Sequence, residues 1–114
     1  MSKDADLDEA ESLLRQTMDV HERIDSPDST ATLSAVNNLA LLLELRGRFD
    51  LAEPLYRRVV AGFERTLPPD HWLRPAAAKN LGDCLVDLGK TDEAEALLLK
   101  VYDESAKSLG ADNQ

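Results

Sequence analysis

The strongest constraint on this chain is that it repeats itself every 42 residues. Asp8-Glu9-Ala10-Glu11 returns as Asp50-Leu51-Ala52-Glu53 and again as Asp92-Glu93-Ala94-Glu95. Leu13, Leu55 and Leu97 follow at the same offset. Asn38-Leu39 matches Asn80-Leu81, Leu43 matches Leu85, and Gly47 matches Gly89. Glu22-Arg23 matches Glu64-Arg65, and Pro27-Asp28 matches Pro69-Asp70. So many coincidences in one register mark a structural unit. A unit of this length cannot bury its apolar face alone, so successive copies must stack and share a core.

The unit is helical. From Asp50 onward, apolar residues fall at Leu51, Ala52, Leu55, Tyr56, Val59, Val60 and Phe63, a single stripe with a period near 3.6. The first and last copies repeat it with Leu7, Ala10, Leu13, Leu14, Met18 and with Ala94, Leu97, Leu98, Val101, Tyr102. Two further helices lie between, about 29–46 and 73–88. The spacing predicts five helices, at about 5–24, 29–46, 50–66, 73–88 and 92–108, within one domain spanning residues 1–114. Gly47 and Gly89 stand where a helix closes on a left-handed residue. Asp50, and Thr91 or Asp92, are placed to cap the helices that follow. Pro27, Pro68 and Pro69 interrupt the chain between units, and Pro75 sits early in its helix, where a missing N–H costs little. Ala52, Ala94, Ala40 and Gly82 are small where paired helices must approach.

Composition agrees with an all-α chain: 43% of residues are apolar, only 4% aromatic, and strand formers never alternate over a useful length. The net charge of -9 repels phosphate backbones and argues against a nucleic-acid partner. The charge is uneven. Residues 1–28 carry nine acids against three bases, 29–69 four against five, and 70–114 nine against five. The acidic ends read as an aid to solubility. No apolar run approaches a membrane span, and the polar start MSKDADLDEAES does not read as a signal peptide, so a cytoplasmic location is expected.

Asn37-Asn38-Leu39-Ala40, then Gly47-Arg48-Phe49, then Ala52-Glu53-Pro54-Leu55-Tyr56-Arg57-Arg58 resembles the 42-residue tetratricopeptide repeats of kinesin light chains. A second copy runs Lys79-Asn80-Leu81-Gly82, Gly89-Lys90, Ala94-Glu95-Ala96-Leu97. Pro69-Asp70-His71 is similar to the Asp-His-Pro loop of that family, with Trp72 where proline is usual. The resemblance implies an α-solenoid of stacked antiparallel helical hairpins. By that standard the chain opens on a second-type helix whose first-type partner is absent, and it holds two complete hairpins. It therefore reads as a piece of a longer array or as a unit that associates through its open ends.

The resemblance also implies a job. In such arrays the first helix of each hairpin lines a concave groove that takes an extended peptide or another protein. Asn38 and Asn80 occupy the position whose amide, one donor and one acceptor, pairs with a ligand peptide bond. Ser34, Asn37 and Leu41 neighbour the first; Ala76, Lys79 and Asp83 neighbour the second. The alternative is that each Asn satisfies backbone or a nearby helix. Leu41 and Leu45, matched by Asp83 and Asp87, would make a groove apolar at one end and acidic at the other, suited to a ligand with an apolar anchor and a basic residue, or would pack against the first helix or another subunit. The expected function is a binding scaffold. The second reading is self-assembly, with a homodimer formed through the last helix, which carries Leu98, Leu99, Val101 and Tyr102.

Catalysis is not expected. His21 and His71 lack a second ligand at metal spacing, and His71 reads as a helix starter. Cys84, the only cysteine, lies among Leu81 and Leu85 as a small core residue with no apparent base. No glycine pattern could cradle a phosphate, so no cofactor is expected. Glu93 and Glu95 read as a solvated helix start, and Trp72 as a packing residue between hairpins.

Overall fold

The computed structural model describes residues 3–112, and they form five helices in succession. These are α1 (Lys3–Ile24), α2 (Thr30–Leu45), α3 (Phe49–Thr66), α4 (Leu73–Asp87) and α5 (Thr91–Asp112). No strand occurs among the described residues. Each helix packs on the next, α1 on α2, α2 on α3, α3 on α4 and α4 on α5. The result is an elongated stack of 57 × 36 × 19 Å. Its radius of gyration, 15.5 Å, exceeds the roughly 13 Å of a compact domain of this length.

The five expected helices are all present, with ends that coincide or shift by at most four residues. The largest shift is at α5, which continues to Asp112. Helix α2 begins where Ser29 accepts a hydrogen bond from the Thr32 amide at 3.1 Å, an N-cap. Asp50 does not cap α3: that helix starts at Phe49 with Arg48 before it, and Asp50 falls in the first turn, where its charge meets the helix dipole. Thr91 and Asp92 likewise lie inside α5, not before it.

The two glycine turns are equivalent. Gly47 has φ 79° and Gly89 φ 81°, and no other described residue has positive φ. After α2, the Gly47 amide bonds the Glu44 carbonyl at 2.9 Å and the Arg48 amide bonds Leu43 at 2.8 Å. After α4, Gly89 bonds Val86 at 2.9 Å and Lys90 bonds Leu85 at 2.7 Å. This paired pattern satisfies carbonyls that a helix end otherwise leaves open, and it needs a left-handed residue at the glycine.

The core runs along the stack in two clusters. One joins Leu39, Ala40 and Leu43 of α2, Ala52 and Tyr56 of α3, Leu81, Cys84 and Leu85 of α4, and Ala94 of α5. The other joins Leu33 and Val36 with Val59, Phe63 and Ala77. Leu14 and Met18 of α1 pack on its edge. The small residues sit where helices come close. Ala52 and Ala40 are wholly buried, and a Cβ built on Gly82 would lie 3.3 Å from Leu98. Gly62 is tighter still: a Cβ there would meet the Leu33 side chain at 2.5 Å.

Charged side chains tie the helices together at the surface. Arg46, after α2, reaches back to Asp8 at 2.6 Å and Glu11 at 3.1 Å on α1. Arg57 of α3 pairs with Glu53 at 2.8 Å and Glu93 of α5 at 2.7 Å, while Lys90 meets Glu53 at 2.8 Å. The Lys90 and Arg57 hydrogen bonds hold the Glu53 carboxyl below its usual range. Arg58 pairs with Glu22 at 2.7 Å and Arg65 with Asp28 at 3.0 Å. The acids of residues 1–28 thus find partners in the middle segment.

Ala52→Leu should destabilise the protein by about 1–3 kcal/mol, because the wholly buried Ala52 site has no room for three more carbons. Urea denaturation followed by circular dichroism measures it; an unchanged midpoint would mean the helices are not held apart by size at this point.

Candidate functional site

Helices α2 and α4 are the first helices of successive hairpins, and each leaves one stripe uncovered. On α2, after the exposed first residue Thr30, the exposed residues are Ala31, Ser34, Asn38, Leu41 and Leu45. On α4 they are Trp72, Lys79, Asp83, Val86 and Asp87, with Ala76 and Asn80 half-buried between them. Spacings of three and four residues keep each set on one helix face. The opposite faces carry Leu33, Val36, Leu39 and Leu43, and Ala77, Ala78, Leu81 and Leu85, all buried. The exposed stripes follow from amphipathicity.

Between the two stripes is a shallow cavity of about 150 Å³, lined by Ser34, Asn37, Asn38, Phe63, Leu73, Ala76, Ala77 and Asn80. Four of the residues expected to form a groove therefore meet around one space: Ser34, Asn37, Asn38 and Asn80. Leu41, Lys79 and Asp83 do not line it; they continue the same stripes toward the C-terminal ends of α2 and α4. Phe63 from α3 and Leu73 supply apolar walls that the residue pattern did not point to, since Phe63 reads equally as part of α3's core stripe.

The asparagines differ in their bonding. The Asn80 amide donates to the Asn37 side-chain oxygen at 3.3 Å, a bond between helices one repeat apart. The dull alternative of a partner on a neighbouring helix therefore holds for Asn80. Among the described residues, Asn38 makes no side-chain hydrogen bond, and its amide faces solvent. Lys79 and Asp83 pair at 3.2 Å on the surface, a contact of little strength at such exposure.

Below the cavity, Tyr56 is buried and its hydroxyl donates to Glu44 at 2.6 Å. Burial, then the Glu44 carboxylate, raises its pKa above the ordinary phenol value. Cys84 is buried beside it, with its thiol 3.5 Å from the Phe49 carbonyl. Burial, with the nearby carboxylates of Glu44, Glu53 and Asp87, pushes that thiol up to about 11. It is a core thiol, as its neighbours implied. His71 accepts from the Leu73 amide at 3.1 Å and so helps to start α4. His21 pairs with Asp25 at 2.8 Å on the surface.

Trp72 corrects an expectation. It does not pack between hairpins: it is 70% exposed at the head of α4 and stacks only against His71, ring centres 6.2 Å apart. The bend before α4 turns it outward, and Leu73 fills the position beside Phe63 instead. A larger open hollow, about 550 Å³, lies at the other edge among Pro69, Asp70, Arg74, Glu104 and Lys107. Acid and base are balanced there, and Arg74 stands 3.8 Å from Glu104. Among the described residues no three of His, Cys, Asp and Glu are grouped so as to hold a metal ion. No helix among them is long and apolar enough to cross a membrane.

Comparison with known proteins bears on this geometry. A family model described as tetratricopeptide repeat matches residues 2–65 and, in a second register, 33–103. Two solved structures of a kinesin light chain candidate with nearly identical TPR-like repeats, from Podosopora anserina, superpose with TM-scores of 0.82 and 0.81. Each is 26% identical to this chain; the match covers 93% of this chain and 50% of theirs, so the chain spans about half the length of those structures. No curated protein matches the sequence significantly.

Because the thiol is buried and its pKa raised, Cys84 should react with a disulfide reagent at pH 8 no faster than the protein unfolds. Labelling in the presence and absence of urea checks this; immediate stoichiometric labelling of the folded protein would place the thiol at the surface.

Proposed function

The chain belongs to the tetratricopeptide-repeat family, and on that premise we propose that it is a non-catalytic scaffold whose α2–α4 face holds an extended peptide or a segment of another protein. Family membership supports a protein-interaction role in general; the peptide groove is the finer reading. The observation that carries it is the placement of Asn38: a mid-helix amide with no side-chain hydrogen bond among the described residues, at the mouth of a cavity walled by Phe63, Leu73 and Ala77. An asparagine in mid-helix has no helix-forming advantage. An extended backbone across that mouth would offer its amide both a donor and an acceptor. Asn80 sits one repeat further on, with its carbonyl oxygen still able to accept. Ser34 and Asn37 complete the polar rim.

Changing Asn38 and Asn80 together to Ala should leave the fold intact, since neither residue is fully buried. Each lost hydrogen bond is worth about 0.5–1.5 kcal/mol, so affinity for a genuine partner should fall about tenfold or more. Calorimetry on a partner recovered by pull-down decides it. Equal affinity for the double variant and the parent would put the ligand elsewhere.

A second reading rests on a different observation. Helix α5 exposes Leu98, Leu99 and Tyr102, with Leu99 at 61% and Tyr102 at 75%. Helix α1 exposes Leu13, Val20 and Ile24 on its outer side. Apolar residues gathered on one face favour contact with another protein surface, and a two-fold axis would let the α5 face pair with itself. The acidic α1 is less suited, since two such helices repel. On this reading the chain runs in solution above its monomer mass of 12.6 kDa, and Leu99→Glu returns it to monomer. Light scattering over a dilution series of both proteins separates the cases; a parent chain monomeric at high micromolar concentration removes the self-assembly reading.

A further inference from the structure

The contact between Asn37 and Asn80 fixes the register of α2 against α4, and that register defines what lies further down the face. Two turns on from the pair come Glu44 and Asp87. On the exposed stripes, Leu41 and Leu45 hold in α2 the repeat positions that Asp83 and Asp87 hold in α4. The two walls of the lower groove therefore differ in kind. The α2 wall is apolar and open, with Leu41 at 42% and Leu45 at 74% exposure. The α4 wall is acidic. Asp87 makes no ion pair among the described residues, and Asp83 has only the exposed Lys79.

The bases that border this region are committed elsewhere. Arg46 is held by Asp8 and Glu11 on α1, and Lys90 by Glu53 on α3. Arg48 belongs to the turn that leads away into α3. Glu44 adds a third carboxylate, which the Tyr56 hydroxyl solvates but does not neutralise. Three acids against Lys79 leave the lower groove negative, so a cationic occupant is favoured and an acidic one repelled.

Spacing narrows the occupant further. Leu41 and Leu45 are four residues apart on a helix, and so are Asp83 and Asp87, which is about 6 Å along each axis. In an extended chain, side chains on one side recur every two residues, about 6.6–6.8 Å. A strand lying between α2 and α4 would send alternate side chains to opposite walls in step with both pairs.

Resting on the groove reading above, we propose that the lower groove selects an extended peptide in which apolar and basic residues alternate. The apolar side chains lie on Leu41 and Leu45, and the basic ones meet Asp83 and Asp87. The backbone continues upward to the amides of Asn38 and Asn80. Lys79 gives up Asp83 on binding, which costs little because that pair is exposed.

The test uses the full chain and three synthetic peptides with the same Gly-Ser flanks, whose central four residues are Leu-Lys-Leu-Lys, Leu-Glu-Leu-Glu and Ser-Lys-Ser-Lys. Calorimetry should find the Leu-Lys peptide bound about tenfold or more tighter than either other. Changing Asp83 and Asp87 together to Asn should weaken it about three- to tenfold. Changing the exposed Asp4 and Asp6 of α1 to Asn should not. An equal loss in the α1 variant would reduce the effect to general attraction by an acidic protein and overturn the proposal. Equal binding of the Leu-Glu peptide, lost when Asn38 and Asn80 become Ala, would also overturn it while leaving the groove as the peptide site. Binding of the Leu-Lys peptide that neither pair of variants weakens would overturn both readings, and failure of all three peptides to bind overturns the alternation.

Discussion

Helix α3 is buried from two sides, and the rest of the molecule is arranged around that fact. Its Ala52, Tyr56, Val59 and Phe63 are enclosed by α2 and α4, two helices that scarcely touch each other directly. Tyr56 is wholly buried and keeps its hydroxyl satisfied through Glu44 on α2. A buried phenol without an acceptor would cost on the order of 1–3 kcal/mol. With α3 fixed between them, α2 and α4 lie roughly parallel and one repeat apart. Their remaining faces then point the same way, which is the origin of the groove. The close approach depends on Ala52 and Gly62: a larger side chain at either would push α2 off α3 and tilt one wall of the groove against the other.

The hairpins were legible in the sequence because the repeat is redundant. The start of α3 is announced three times at a fixed offset, in Asp50, Ala52, Glu53 and Leu55 and their counterparts, and the two glycine turns follow the same hydrogen-bond scheme. Where the repeat breaks, legibility fails. Trp72 stands where the related loop has proline, and neither periodicity nor composition says whether a lone tryptophan at a helix head turns in or out. Only the placement of Leu73 beside Phe63 settles it. Asp50 looked like a cap because helix ends are hard to locate to within a residue; the chain enters α3 two residues earlier than a cap at Asp50 would allow. Gly62 escaped notice because its counterparts, Val20 and Glu104, are not small. Its reason is a single neighbour, Leu33. Four of the seven expected groove residues share a cavity, since helix periodicity places them reliably. The Asn37–Asn80 bond was not legible, because it depends on how far two non-adjacent helices approach.

The uneven charge has a structural side as well. Residues 1–28 are strongly acidic, and seven of their nine acids lie on α1, which packs chiefly against α2. Arg46, Arg58 and Arg65 reach out from the middle of the chain to meet them. The Arg57, Glu53 and Lys90 set does the equivalent work toward α5. Most of these pairs are solvent-exposed and contribute little energy one at a time. Their value lies in register: they join helices whose apolar contacts alone would tolerate sliding, as small aliphatic side chains do.

That division of labour separates what the repeat must keep from what it is free to vary. Between the two hairpins, several buried positions are held in kind, Leu39 and Leu81, Ala40 and Gly82, Leu43 and Leu85, Ala52 and Ala94, whereas Leu33, Tyr56 and Phe63 give way to Pro75, Leu98 and Ser105. Exposed positions on the concave stripes diverge: Ser34 against Ala76, Asn37 against Lys79, Leu41 against Asp83, Leu45 against Asp87. Asn38 and Asn80 are the exception, an exposed-face pair that stays the same. Packing explains the first set and leaves the second unexplained, since solvent alone would accept polar residues at every position and has no use for Leu41 and Leu45. A face built for backbone recognition would keep its amide donors constant and vary the side chains around them. The pattern of sameness and difference on α2 and α4 has that form.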